Sequence, residues 1–137
     1  PQNALKMGEH LLKGLRELKE RYPIIKDVRG RGLMVGLELN TPAGGLLNKV
    51  TGGAIGNLYK EYAGAMVAGE LLNKHQIITA YTLNNPNVIR LEPPLIITKE
   101  DIDTLLNALE DILSKNKGLF NLTLSTIKTA TSSLFSK

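Results

Sequence analysis

The chain has 137 residues, 42% hydrophobic and 22% charged, a composition that fills one core, shows no sign of a second domain and is unlike a disordered tail. It has no cysteine, which excludes disulfides, thiolate-ligated metals and thiol nucleophiles together. Its net charge of +4 comes from 17 basic and 13 acidic residues scattered along the chain, and no stretch approaches the roughly 18 consecutive apolar residues of a membrane span; neither nucleic acid nor membrane is an expected partner.

From Asn3 to Tyr22, Ala4, Leu11, Leu15, Leu18 and Tyr22 recur at helical spacing, with Asn3 as candidate N-cap and Pro23 as the stop. Lys26 to Asn40 predicts two extended pieces around Gly30-Arg31-Gly32, the second with Leu33, Val35, Leu37 and Leu39 on one face. The two glycines suit a tight turn better than an anion-binding loop, because the full phosphate fingerprint is missing. Thr41 to Asn57 is glycine-rich and predicts a loop, with a plain surface connection preferred over a lid.

Leu58 to Gln76 predicts a second helix, in which Gly64 and Gly69 invite close approach of another element. Ile77 to Tyr81 and Val88 to Glu92 predict a hairpin about Thr82 to Asn87, and Leu95 to Ile97 a further short extended run. Thr98 then caps a helix carrying Ile102, Leu105, Leu106, Leu109, Ile112 and Leu113 on one side. Phe120, Leu124, Ile127 and Leu134 line one side of a final segment that packs on its own domain or frays. The order predicts an α+β fold with a small antiparallel sheet of three to four strands packed against helices on one side.

Candidate chemistry is sparse. His10 and His75 stand alone, without the convergent ligands a metal needs, and read as surface residues; no metal site is expected. The informative segment is Asn87 to Thr98. On a strand through Val88 to Glu92, Ile89 and Leu91 face one side while Val88, Arg90 and Glu92 face the other. Arg90 thus projects away from the apolar side with a planar fork of donors that matches a carboxylate. On residue chemistry alone the stronger reading is an ion pair with Glu92 or another acid of the sheet.

Asn87-Val88-Ile89-Arg90-Leu91-Glu92-Pro93-Pro94-Leu95-Ile96-Ile97-Thr98 is similar to the signature near the C-terminus of class III, fold-type I aminotransferases. Asp27-Val28-Arg29-Gly30-Arg31-Gly32-Leu33-Met34-Val35-Gly36-Leu37-Glu38-Leu39 resembles the start of that family's small-domain sheet, so the likeness runs from about Ala4 to Lys115. Thr82-Leu83-Asn84-Asn85 looks most like the putrescine and ω-amine enzymes, with acetylornithine, ornithine and 4-aminobutyrate aminotransferases as close relatives.

The resemblance implies a parent transaminase that moves an amino group from an amine to a 2-oxo acid on pyridoxal phosphate, held as a Schiff base by a lysine. It also implies that Arg90 binds the substrate carboxylate. Residues 1–117 would be the C-terminal small domain and 118–137 a helical or frayed extension beyond the family pattern. The Schiff-base lysine and the phosphate-binding residues belong to a large domain that nothing in this chain matches. The chain alone is therefore expected to bind no cofactor and to be inactive. Its partners would be the large domain and, in a homodimer, a second subunit. With no signal peptide at Pro1-Gln2-Asn3-Ala4, a cytoplasmic location is expected. The rival reading is a stand-alone α+β binding or interaction module without catalysis.

Overall fold

The first apolar stripe becomes helix α1 (Gln2–Arg21), which buries Met7, Leu11, Leu12, Leu15 and Leu18 and carries Lys19 and Arg21 in its last turn, where cations complement the helix dipole. The computed structural model describes residues 2–40, 49–50, 52–82 and 84–115. Asn3 is not the cap expected of it. It lies inside α1, and its side-chain amide donates to the carbonyls of Leu95 (2.8 Å) and Ile97 (3.2 Å), tying α1 to a distant loop.

Strands β1 (Ile25–Arg31) and β2 (Met34–Leu39) form a hairpin as expected, but Gly30 and Arg31 belong to β1, opposite Val35 and Met34, and not to the turn. Gly32 turns it at φ +55°, a conformation that favours glycine. Helix α1 lies directly on that turn: a Cβ on Gly8 would fall 2.1 Å from the Gly32 carbonyl oxygen.

Helix α2 spans Ala54–His75 and starts earlier than the sequence predicts. Gly52 and Gly53, both at positive φ, precede it, and Gly53 is its N-cap; the glycines read as loop mark a helix start. The rest of the predicted loop, residues 41–48 and 51, lies outside the described residues. Gly64 does permit a close approach. Its N–H donates to Pro86 O at 3.0 Å, and a Cβ there would sit 2.2 Å from that oxygen. Gly69 has no such neighbour among the described residues.

Strand β3 (Ala80–Tyr81) is shorter than the predicted Ile77 to Tyr81, and β4 covers Val88–Leu91. Leu95 to Ile97 is not extended: Ile97 N–H closes a turn on Pro94 O at 3.0 Å. Prolines preset φ for turns, and among the described residues no strand pairs with this stretch. Helix α3 (Lys99–Lys115) opens on a reciprocal cap: Asp101 N–H donates to Thr98 Oγ1 at 3.2 Å, and Thr98 N–H to Asp101 Oδ2 at 3.0 Å. The expected boundary at residue 117 and the extension 118–137 lie outside the described residues.

The sheet order is β1-β2-β4-β3, antiparallel throughout. Val28, Val35, Leu37, Ile89 and Leu91 on its inner side join the buried faces of α1, α2 and α3 in one core. The fold is thus α+β, with three helices on one side of a four-stranded sheet among the described residues and the other side of the sheet open.

Candidate functional site

Cross-strand register decides which side chains meet on the open face, because directly opposed residues of antiparallel strands share a face. Arg29 stands opposite Gly36, Gly36 opposite Arg90, and Arg90 opposite Ala80. One row across the sheet therefore holds two arginines separated by a glycine. The next row sets Asp27 opposite Glu38 and Glu38 opposite Val88.

Arg90 is placed as strand alternation predicts: it is exposed while Ile89 and Leu91 are buried at 0% and 3% exposure. Val88 departs from the pattern, being buried as well, and lies beside Gly36, on which an added Cβ would be 3.6 Å from Val88 Cγ1. The Arg90 guanidinium donates through Nε (3.0 Å) and Nη2 to a single oxygen of Glu92, Oε1. The two side chains are 49% and 41% exposed. The ion pair that residue chemistry favoured is therefore present. Both residues border a depression of roughly 380 Å³ where β4 gives way to α3, with Ile77, Thr79, Pro94 and Thr104 among its other walls. Thr79 Oγ1, buried on that wall, has no hydrogen-bond partner among the described residues.

Arg29 is held differently. Its Nη1 donates to Asp27 Oδ2 (2.9 Å) and Glu38 Oε2 (2.6 Å), and Lys26 Nζ closes on the other Glu38 oxygen at 2.7 Å. The Glu38 side chain is only 14% exposed. Lys26 and then Arg29 hold the Glu38 carboxyl below its ordinary value, and Arg29 does the same for Asp27. The sequence did not expose this network, because it needs the β1–β2 register.

Each histidine faces an aspartate of α3. His10 Nε2 lies 2.6 Å from Asp103 Oδ1 and His75 Nε2 3.0 Å from Asp111 Oδ2, so each ties a neighbouring helix to α3. Asp103 is held below its ordinary value by Lys99 and His10, and Asp111 by Lys115 and His75. Among the described residues no group of three or more potential ligands assembles, and no helix is long and apolar enough to cross a membrane.

The cofactor implied by the resemblance would need a lysine for its carbonyl carbon and an acid for its ring nitrogen, which lie at opposite ends of the ring. The described residues do not fit it. Lys26, which reaches the open face, is engaged by Glu38, while Lys74, Lys99 and Lys115 are paired with acids on their own helices. No step here runs through that group.

The aminotransferase class-III family model matches residues 1–113, stopping short of the predicted extension. The chain is 34% identical over 119 residues to a putrescine aminotransferase of Pectobacterium atrosepticum, covering 86% of this chain and 21% of the relative. It is 35% identical over 109 residues to an alanine/serine racemase of Pyrococcus horikoshii, covering 80% and 20%. Among solved structures it resembles a PLP-bound amine transaminase from an uncultivated Pseudomonas species, with a TM-score of 0.61, 28% identity and coverage of 83% and 23%. The chain thus spans about a fifth of the length of the curated relatives it matches.

Proposed function

The chain belongs to the class-III aminotransferase family, and from that premise we propose that it is the C-terminal small domain of a pyridoxal-phosphate-dependent transaminase in which Arg90 binds the carboxylate of a 2-oxo acid. The observation that carries this reading is the placement of Arg90. It stands on the open side of the sheet between Gly36 and Ala80, its one described partner an exposed acid. A guanidinium so placed presents a two-point donor fork to a carboxylate arriving from outside the domain.

In this reading the rest of the parent enzyme supplies the cofactor, its lysine and the catalytic proton transfers. These residues form one wall, which orients the oxo acid by its carboxylate. The donor is an ω-amine of the putrescine type, and the parent works as a homodimer. The isolated chain is inactive.

The test uses the full-length enzyme, with steady-state constants measured separately for a diamine and for 2-oxoglutarate. Arg90→Ala is expected to raise KM for the oxo acid at least about 30-fold, the lower end of the cost of removing one partner of a buried charge pair, and to leave KM for the diamine nearly unchanged. Equal changes in both constants would assign Arg90 to the sheet instead. Interconversion of amino-acid enantiomers without consumption of an oxo acid would place the parent with the racemase relative.

A further inference from the structure

Helices α1 and α3 divide their surfaces as water and core require. The outward side of α1 carries Lys6, Glu9, Lys13 and Glu17, and that of α3 Lys99, Glu100 and Asn107, all exposed. Helix α2 breaks this rule. Besides its core side, formed by Ala63, Val67 and Leu71, a second apolar stripe runs through Tyr62, Ala65, Met66, Gly69 and Leu72 at steps of one, three and four residues. Tyr62 and Leu72 are 48% and 49% exposed. The space over Gly69 is open: a Cβ there would meet nothing within 4 Å among the described residues. A helix that is apolar on two sides is one built to be covered on both.

We propose that the segment following α3 is the cover: residues 119–134 lie along the outer side of α2, running back from Leu72 toward Tyr62. None of these residues lies on the open side of the sheet, so the proposal is independent of the role of Arg90.

The path of the chain favours this occupant. Helix α3 ends at Lys115, one turn past Asp111, and His75 of α2 lies 3.0 Å from that aspartate. His75 is in turn three residues past Leu72. The chain therefore leaves α3 beside one end of the exposed stripe. Gly118 suits the left-handed conformation that reverses a chain after a helix. The stripe from Tyr62 to Leu72 is about 15 Å long, and residues 116–137 would reach about 33 Å even if wholly helical.

Composition favours it as well. The segment after α3 holds both phenylalanines of the chain, Phe120 and Phe135, and no acidic residue. Phe120, Leu124 and Ile127 recur at steps of four and three, the spacing that lets one helical stripe lie on another. In the antiparallel arrangement Phe120 falls beside Leu72, Leu124 over Gly69 and Ile127 beside Ala65.

The test uses the full-length enzyme carrying Gly69→Cys together with Leu124→Cys; residues 1–137 have no cysteine of their own. The open space over Gly69 admits the new side chain. After mild oxidation, peptide mapping by mass spectrometry is expected to find a disulfide joining positions 69 and 124 of one chain, which requires Cα atoms within about 7 Å. A second variant, Leu72→Asp, puts a charge on a position that is already half exposed. It is expected to speed tryptic cleavage after Lys128 at least about tenfold, the effect of losing one buried leucine.

A disulfide joining positions 69 and 124 of two different chains would make a second copy the cover and overturn the proposal. Absence of any disulfide between these positions, or a cleavage rate unmoved by Leu72→Asp, overturns it too and leaves the outer side of α2 to another part of the parent enzyme or to solvent.

Discussion

Arg29 and Arg90 occupy the same row of the same sheet face, yet one is built into the fold and the other only stands on it. Arg29 is clamped by two carboxylates within 2.9 Å, one of them largely shielded from solvent and shared with Lys26. Arg90 meets a single exposed acid, with glycine and alanine opposite it. The chemical group is identical, so the difference lies in what each neighbourhood demands: a closed network consumes the donors of an arginine, whereas an open one leaves them for a partner from outside. Depressed carboxyl titration follows the first environment, at Asp27 and Glu38.

The comparison extends through the sheet to its other side and is broken most forcefully there. Ile89, adjacent to Arg90 but 0% exposed, belongs to the core. Ile89→Ala should cost about 2 to 5 kcal/mol of stability by leaving a cavity, whereas Arg90→Ala should barely move Tm. Thermal unfolding of the two full-length variants measures this, and a comparable loss from both would show that Arg90 braces the sheet.

A smaller effect separates the two arginines. Arg29→Ala leaves Asp27 and Glu38 without their shared guanidinium, so Tm should fall by less than for Ile89→Ala but more than for Arg90→Ala. The diamine and oxo-acid KM values should keep their ratio. A selective rise in the oxo-acid KM would make Arg29 part of the site as well.

The smallest effect is read by pH. The Glu38 and Asp27 pKa values are lowered on folding from ordinary values of 4.5 and 3.8. Their contribution to stability is therefore complete above those values and is lost as pH falls through the lower folded ones. Acid unfolding followed from pH 5 downward should be less steep in Glu38→Gln than in wild type.

How much of this the sequence showed depends on the distance over which each feature is encoded. The stripes of α1 and α3, the Gly32 turn, the Thr98 cap and the outward direction of Arg90 follow from neighbours within a few residues, and they are where periodicity put them. Local composition misled where it had two meanings. Gly52 and Gly53 suggested a loop but lead into α2, and Asn3 had the chemistry of a cap but bonds to carbonyls more than 90 residues away.

The His10–Asp103 and His75–Asp111 pairs and the row joining Arg29 to Arg90 depend on helix packing and strand order, to which spacing along the chain gives no access. Glu92 lay within reach of sequence reasoning, two positions from Arg90 on the same face, and there the bland ion pair turned out to be present. That pair does not speak against a site.

The helical layer sets how the domain answers to force. His10 pairs with Asp103, Gly14 lies against Leu106 and Arg21 reaches Glu110, so positions rise together along α1 and α3 and the two helices run parallel. A pull between the start of α1 and the end of α3 would slide them past each other rather than peel them apart. All the cross-links between the helices would then be loaded together, as in a lap joint, and the tension would run beside the sheet instead of across the row that holds Arg90.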